Sequence, residues 1–451
     1  MAWLSQKIDH NFSIMRIKLI CQGYKCEAAL NQDGTVKHTG VQDYKLHTTD
    51  AWSDFFANGG LGNIGFALSK GKPVYLSIAG WSLSRPLRDA IRQEHRAEFI
   101  ESIIRFMFRA QLDAMNYAGV KNQFSGVDVD WEPNANNWTL NNAATPQAQL
   151  VHEDLQNYYD FLKELKTALT AAKDKGIIKN DVLKIAFTAN PSALKDVSRV
   201  YGEPYWYKLS HVVDSLNLMT YDYHGPEFHS DQVAKFTNFN APWEYRADQP
   251  ESFSQAVREQ FNTRAAIQAL IDEKVPSKKI GFGLAAYGRV YPLSDNYKTN
   301  HVKDIYFPYD PSKSASINTI NGDEWTRDST FSLKQIVTGK YYYRAKDSNK
   351  FEERKINAEF PASGYHSASK DTLWNIRQSF WLGKFGPDSL PIYIDSDDYD
   401  SARWKMEFAR KLGLGSVMIW DLWGDFNPYQ DKANNDYYTK SITKGLVDVR
   451  K

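Results

Sequence analysis

Only two cysteines, Cys21 and Cys26, occur in a chain of 451 residues. That is too few for a disulfide framework, and the second pair that a structural zinc site needs is missing. The two could pair with each other, although two buried thiols are the simpler reading. An excess of one charge is lacking as well: 55 Lys and Arg against 54 Asp and Glu leave a net charge of +1, which removes the electrostatic footprint of a general nucleic-acid binder. No apolar run approaches the roughly 18 to 20 residues of a membrane span. Lys7, Asp9, Arg16 and Lys18 interrupt the N-terminus before it could form the core of a signal peptide. The chain is therefore expected to be soluble, with no nucleic-acid or membrane partner. There is no Gly-rich phosphate fingerprint after an early strand, no Ser/Pro/Gly-rich linker, no low-complexity tract and no short repeat. A dinucleotide site and a tethered binding module are both left without support, and no cofactor or metal is expected.

Aromatic residues, by contrast, are plentiful at 14%, with 13 Trp and 26 Tyr. Large barrels pack aromatics, and carbohydrate clefts use them too, because the C–H faces of pyranose rings bury well against flat apolar rings. Short β-rich runs alternate with segments of helical period, the pattern of repeated βα units on a parallel sheet. The strand candidates are Met15 to Cys21, Val74 to Gly80, Gly126 to Glu132, Val182 to Ala189, Ser215 to Tyr221, Ile280 to Tyr287 and Ser416 to Leu422. Between them lie amphipathic stretches such as HRAEFIESIIRFMFRAQLDAM, HEDLQNYYDFLKELKTALTAAKDKG, FNTRAAIQALIDEK and DSARWKMEFARKLG; the second is closed by Gly176 as a C-cap. Seven such units imply an α/β fold, a (β/α)8 TIM barrel whose first strand is missing, degenerate or hidden in residues 1 to 14. A doubly wound open sheet is the competing architecture.

About 100 residues separate the seventh-strand candidate from the helix near Asp400, too many for a loop in a compact domain. With TFSLKQIVTGKYYYRA and KDTLWNIRQSFWLG inside it, this segment reads as a small α+β insertion over residues 291–390, between strand 7 and helix 7. Residues 1–290 and 391–451 then form the barrel.

The stretch FSGVDVDWEP, residues 124 to 133, sets Asp128, Asp130 and Glu132 on one face of a strand and Val127, Val129 and Trp131 on the other. Three ionised acids are expensive inside a barrel unless they sit at its open C-terminal mouth, where barrel enzymes carry their chemistry. Closely spaced carboxylates also disfavour further ionisation, so one of the row can stay protonated, as a general acid for glycosidic cleavage must.

At these residues the sequence resembles glycoside hydrolase family 18, the chitinase family, whose signature runs Asp-x-x-Asp-x-Asp-x-Glu on the fourth barrel strand. Gly126, Asp128, Asp130, Trp131 and Glu132 match; Ser125 stands where the family has its first Asp. YLSIAGWS (75–82) is similar to the third-strand Ser-x-Gly-Gly, with Ala79 for the first Gly. LNLMTYDYHG (216–225) resembles the sixth-strand Met-x-Tyr-Asp, GFGLAAYGR (281–289) the seventh-strand Tyr-Gly-Arg, and GSVMIWDLWGD (415–425) the eighth strand with its Trp. Met15 to Cys21 then corresponds to the second strand, and the first has no good counterpart.

The resemblance implies retaining, substrate-assisted hydrolysis. Glu132 would protonate the glycosidic oxygen while the substrate's 2-acetamido carbonyl attacks the anomeric carbon, and would then act as base for the incoming water. Asp130 would hold the acetamido N–H, with Asp128 behind it in a catalytic or a structural role. Tyr221 would donate to the acetamido oxygen. Trp420 would form the floor of the cleft, with Asp222, Met219, Tyr287, Arg289, Trp81 and Trp131 as further substrate-binding residues and Trp138 and Trp243 as weaker subsite candidates. Ser77 and Ser125 would support the acids, the Ser125 hydroxyl by bonding the next carboxylate. The expected partner is chitin or chitooligosaccharide, and the unusual start leaves room for a larger assembly. The place of work implied is extracellular, with the chain cytoplasmic before release or exported by another route or by a leader outside this sequence. Two alternatives stay open: an endo-β-N-acetylglucosaminidase acting on N-glycans, and a non-catalytic chitin-binding lectin or inhibitor on the same barrel.

Overall fold

The structure is a computed structural model that describes residues 4–7, 11–14, 16–19, 45–46, 62–80, 84–132, 151–227, 234–245, 249–301, 306–313, 330–333, 336, 340–344, 351–355, 364–366, 377–385, 390–421, 424–425 and 441–449. Cys21, Cys26, Trp81 and Trp138 lie outside the described residues.

Seven strands run parallel in one curled sheet: β3 (Arg16–Leu19), β4 (Tyr75–Ala79), β5 (Gly126–Asp130), β6 (Val182–Thr188), β7 (Ser215–Met219), β8 (Ile280–Ala285) and β16 (Ser416–Trp420). Long helices separate them, among them Gln93–Ala118, His152–Asp174 and Tyr399–Lys411. This is the α/β, TIM-barrel-like architecture that the seven βα units predict. Where an eighth parallel strand was sought, the sheet carries a hairpin: β1 (Leu4–Lys7) lies antiparallel on β16, and β2 (Asn11–Ile14) folds back on β1. Lys7 pairs with Asn11, and so short a return suits a hairpin while excluding the long crossover that a parallel neighbour requires.

Alternation along each strand sorts the side chains. Leu76, Ile78, Val127, Val129, Leu183, Ile185, Phe187, Leu216, Leu218, Phe282, Leu284, Val417 and Ile419 share one buried cluster with helix residues such as Leu155, Phe161, Leu162 and Leu165. The opposite face carries small or polar residues, including Ser77, Ala79, Asp128, Asp130, Asn217, Gly281, Gly283 and Ser416. The expected cap at Gly176 is present: its φ is +70°, and Ile177 N–H reaches Ala172 O at 2.8 Å beyond the helix His152–Asp174. Gly126 has φ +144°, and a Cβ there would stand 1.8 Å from Val182 O, so only glycine lets β5 approach β6 this closely.

Beyond β8 the chain enters a second, antiparallel sheet in the order β10 (Thr330–Ser332), β9 (Tyr287–Pro292), β15 (Leu390–Ser396), β14 (Arg377–Phe385) and β13 (Gly364–His366). A hairpin of β11 (Lys340–Arg344) and β12 (Phe351–Lys355) accompanies it. Its core is aromatic, built from Phe239, Tyr291, Tyr306, Phe307, Tyr309 and Tyr393 with Leu293. Residues 291–390 supply β10 to β14, the end of β9 and the start of β15.

At the N-terminal rim of β6, Asp181 anchors the helix His152–Asp174. Lys173 lies 3.0 Å from its Oδ1, Thr170 Oγ1 donates to its Oδ2 at 2.8 Å, and Lys166 bonds its main-chain oxygen at 2.6 Å. Desolvation pushes this carboxyl up, but the hydrogen bonds from Lys173 and Thr170 and the charge of Lys166 outweigh it and bring the pKa down to about 2. A folded-state pKa below the unfolded one stabilises at pH values above the unfolded pKa, and that contribution disappears as the pH falls towards the folded value. Asp181→Asn is expected to cost about 1–2 kcal/mol at pH 7, allowing for solvent screening of a partly exposed group. In urea unfolding the gap from the wild type should shrink steadily between roughly pH 4 and pH 2; a gap that does not depend on pH would contradict the assignment.

Candidate active site

The C-terminal ends of the parallel strands gather the acids and aromatics. On β5, Asp128 is 8% and Asp130 2% exposed, and both face the inside of the curled sheet. Ser77 stands in register with Asp128 on β4 and donates to its Oδ2 at 3.4 Å. On the other side Asp128 faces Lys184 of β6, a buried lysine whose Nζ lies 3.7 Å from the centre of the Tyr75 ring. Sequence reading did not find Lys184, because its inward direction follows only from the register.

Past the end of β5 the main chain is held on both sides: Gly80 N–H bonds Asp130 O at 2.8 Å, and Trp131 N–H bonds Ala186 O at 2.9 Å. Ser84, which opens the helix Ser84–Ala90, donates from Oγ to Gly80 O at 3.2 Å and accepts Glu132 N–H at 2.8 Å. The first two acids are thus buried and the third, Glu132, is half-buried at the mouth. Ser84 was also missed; its signal is the Ser at a helix start just after the third-strand motif.

Across the mouth, Tyr221 belongs to a cluster with Ala241, Ala285 and Met418, against which the partly exposed Met219, Tyr287 and Trp420 pack. The Tyr221 and Tyr287 rings meet edge to face, centres 6.1 Å apart. Gly283 makes room for Tyr221, since a Cβ there would lie 2.5 Å from the ring. Thr220 and Gly283 exchange hydrogen bonds, Oγ1 to O at 2.7 Å and N–H to Oγ1 at 2.8 Å, so the ladder from β7 to β8 continues up to Tyr221.

Asp222 has φ +60°. Its Oδ1 accepts from Arg289 Nη2 at 2.6 Å, Arg289 Nε at 3.1 Å and the Tyr287 hydroxyl at 2.7 Å. Arg289 is buried and also pairs with Glu227. Burial alone would lower its pKa, but the two carboxylates raise it, so the guanidinium stays charged. Burial and the Asp222 charge push the Tyr287 hydroxyl well above its usual range, which keeps it a hydrogen-bond donor.

Three expectations need correction. Trp131 is fully buried and stacks on Tyr158 of the helix His152–Asp174, ring centres 4.1 Å apart, so it packs behind β5, away from the cleft. Trp243 is equally buried among Phe282, Trp404 and Phe408. Both follow from large apolar rings filling the space between sheet and helices. Ser125 is buried below β5, and its hydroxyl oxygen has no hydrogen-bond partner among the described residues; the carboxylate it was expected to reach is not in contact. Ala79, where the family motif has a glycine, sits at φ +73°, a left-handed backbone that glycine adopts without strain.

The sequence profile of the glycosyl hydrolases family 18 matches residues 7–425. The chain is 26% identical over 436 residues to chitinase A1 of Niallia circulans, covering 93% of this chain and 50% of that protein. It is 26% identical over 396 residues to chitinase B of Serratia marcescens, covering 80% of this chain and 65% of that one. The chain thus spans half to just under two thirds of the length of these relatives. Human YKL-39, described as a pseudo-chitinase with retained chitooligosaccharide binding properties, shares the fold at a TM-score of 0.57 and 18% identity, over 90% of this chain and 88% of that one. A profile match over nearly the whole chain, with the acids of β5 and the aromatic mouth of β7, β8 and β16 in place, leads to one conclusion: the chain belongs to glycosyl hydrolases family 18.

Proposed function

We propose that the chain is a chitinase that cleaves β-1,4 bonds between N-acetylglucosamine units with retention, using the substrate's own acetamido group as nucleophile and Glu132 as acid and then base. One observation carries this reading: along β5 two acids are buried, and the third emerges half-buried with its amide held by Ser84. A proton donor must reach the glycosidic oxygen, whereas the groups that balance charge beneath the sugar work best away from water.

In this scheme Asp130 takes the acetamido N–H and offsets the positive charge developing on the ring. Asp128, between Ser77 and Lys184, supports it. The Tyr221 hydroxyl donates to the acetamido oxygen, and Trp420, with Met219 beside it, forms the apolar floor. The Asp222, Tyr287 and Arg289 group offers fixed hydrogen-bonding partners at the edge of the cleft. Chitooligosaccharides are the proposed ligands, and among the described residues no helix is long and apolar enough to cross a membrane.

The binding-only relative makes a clear experiment necessary. Chitohexaose incubated with the wild type should disappear into shorter N-acetylated oligomers, followed by chromatography over time. Tight binding with no shortening would instead place the chain with the pseudo-chitinase.

A further inference from the structure

Asp395 lies at the end of β15, where the second sheet meets the barrel, and is 3% exposed. No step proposed above uses it. Its Oδ2 accepts the main-chain N–H of Asn240. Asn240 in turn grips the loop after β7 at two points and the start of β9 at a third. Its Oδ1 accepts Asp222 N–H at 2.8 Å, its Nδ2 donates to Tyr287 O at 3.3 Å, and its carbonyl accepts Tyr223 N–H at 3.0 Å. The next residue is anchored as well: fully buried Lys405 donates to Ala241 O at 2.7 Å and pairs with Asp397 at 2.6 Å. At Gly288 a Cβ would stand 1.6 Å from Asp395 O, so β9 and β15 press together and the Asp395 main chain has little freedom to drift.

Asp222 holds a left-handed backbone, φ +60°, which aspartate tolerates better than most residues but at which the Asn240 hydrogen bonds fix it. We propose that Asp395 is a positioning residue for Asp222: by holding the Asn240 main chain it fixes the turn that delivers the Asp222 carboxylate to Arg289 and Tyr287. The inference rests on reading the cleft as a chitooligosaccharide site. Burial and the neighbouring Asp397 push the Asp395 carboxyl well above its usual range, against the pull of the Asn240 and Arg289 amides and the Arg289 charge. Asparagine keeps an oxygen that can accept the Asn240 N–H, so a neutral amide of the same shape is the conservative replacement.

The test compares the full chain with Asp395→Ala, Asp395→Asn, Asp222→Asn and the double variant Asp395→Ala/Asp222→Asn. In Asp395→Ala, amide exchange over residues 221–223 should quicken by about tenfold while the strand Ser215–Met219 stays protected; Asp395→Asn should exchange like the wild type. On chitotetraose, kcat/KM should fall by about tenfold in Asp395→Ala and return to within about threefold in Asp395→Asn. In the Asp222→Asn background, Asp395→Ala should cost less than about twofold more. Unchanged exchange at 221–223, exchange that quickens equally in Ser215–Met219, or the same loss in both backgrounds would each overturn the proposal. If Asp395→Ala does not fold, Asp395→Ser, too short to reach Asn240, takes its place with the same expectations. Should the wild type neither cleave nor bind chitooligosaccharides, the reading of the cleft fails, while the exchange comparison still decides whether Asp395 positions Asp222.

Discussion

Glu132→Gln should bind chitooligosaccharides within about threefold of the wild type yet hydrolyse them on the order of 10³-fold more slowly. The amide keeps the shape and the hydrogen-bonding capacity of the acid, so the sugar still fits. What it lacks is a proton that can move to the glycosidic oxygen in the transition state, and a base to take one from water afterwards. Ser84 holds the Glu132 main-chain N–H, an anchor that the substitution leaves in place. Binding by tryptophan fluorescence and turnover by product analysis check the two halves separately. Turnover near the wild-type rate would remove Glu132 from the chemistry.

Asp130→Asn is expected to lower kcat by about 10²-fold with little change in KM. The reason is electrostatic. Asp130 is 2% exposed, and in so dry a place a carboxylate that offsets the charge developing on the sugar acts far more strongly in the transition state than in the ground state. Asparagine can still accept the acetamido N–H, so binding survives while charge compensation goes. Loss of binding with kcat intact would mean that Asp130 shapes the cleft without taking part in the reaction.

Much of this architecture was legible in the residues. The seven parallel strands fall within the seven β-rich runs, because a strand covered by helices must be apolar on the outward face and the alternation shows it. The mouth was legible because Met219 and Tyr221, Tyr287 and Trp420 come from three distant parts of the chain, at or just past the ends of β7, β8 and β16, where a barrel collects them. The hairpin β1–β2 was not, since short runs near the N-terminus carry no sign of which edge they will meet. Trp131 is instructive: alternation along β5 already set it opposite the acids, and only its place in the family motif drew it towards the cleft. Asn240, Asp395 and Lys184 were illegible for a plainer reason. Each acts through a partner on another strand or loop, and nothing local marks a polar residue as buried until the register is known.

Two departures from the family now have distinct physical meanings. Ala79 pays in backbone strain at φ +73°, a cost confined to stability unless it shifts Gly80, whose N–H holds Asp130 O. Ser125 places a buried hydroxyl where the family motif has a carboxylate, and Lys184 of β6 stands in register with Asp128.

The proposed role of the substrate's acetamido group as nucleophile, held by Asp130 and Tyr221, is tested most directly by digesting a partly de-N-acetylated chitin oligomer and identifying, by mass spectrometry, the sugar at each newly formed reducing end. Only N-acetylglucosamine should appear there, because a sugar without the acetamido group has nothing with which to attack its own anomeric carbon. Glucosamine at new reducing ends in proportion to its share of the substrate would contradict the mechanism.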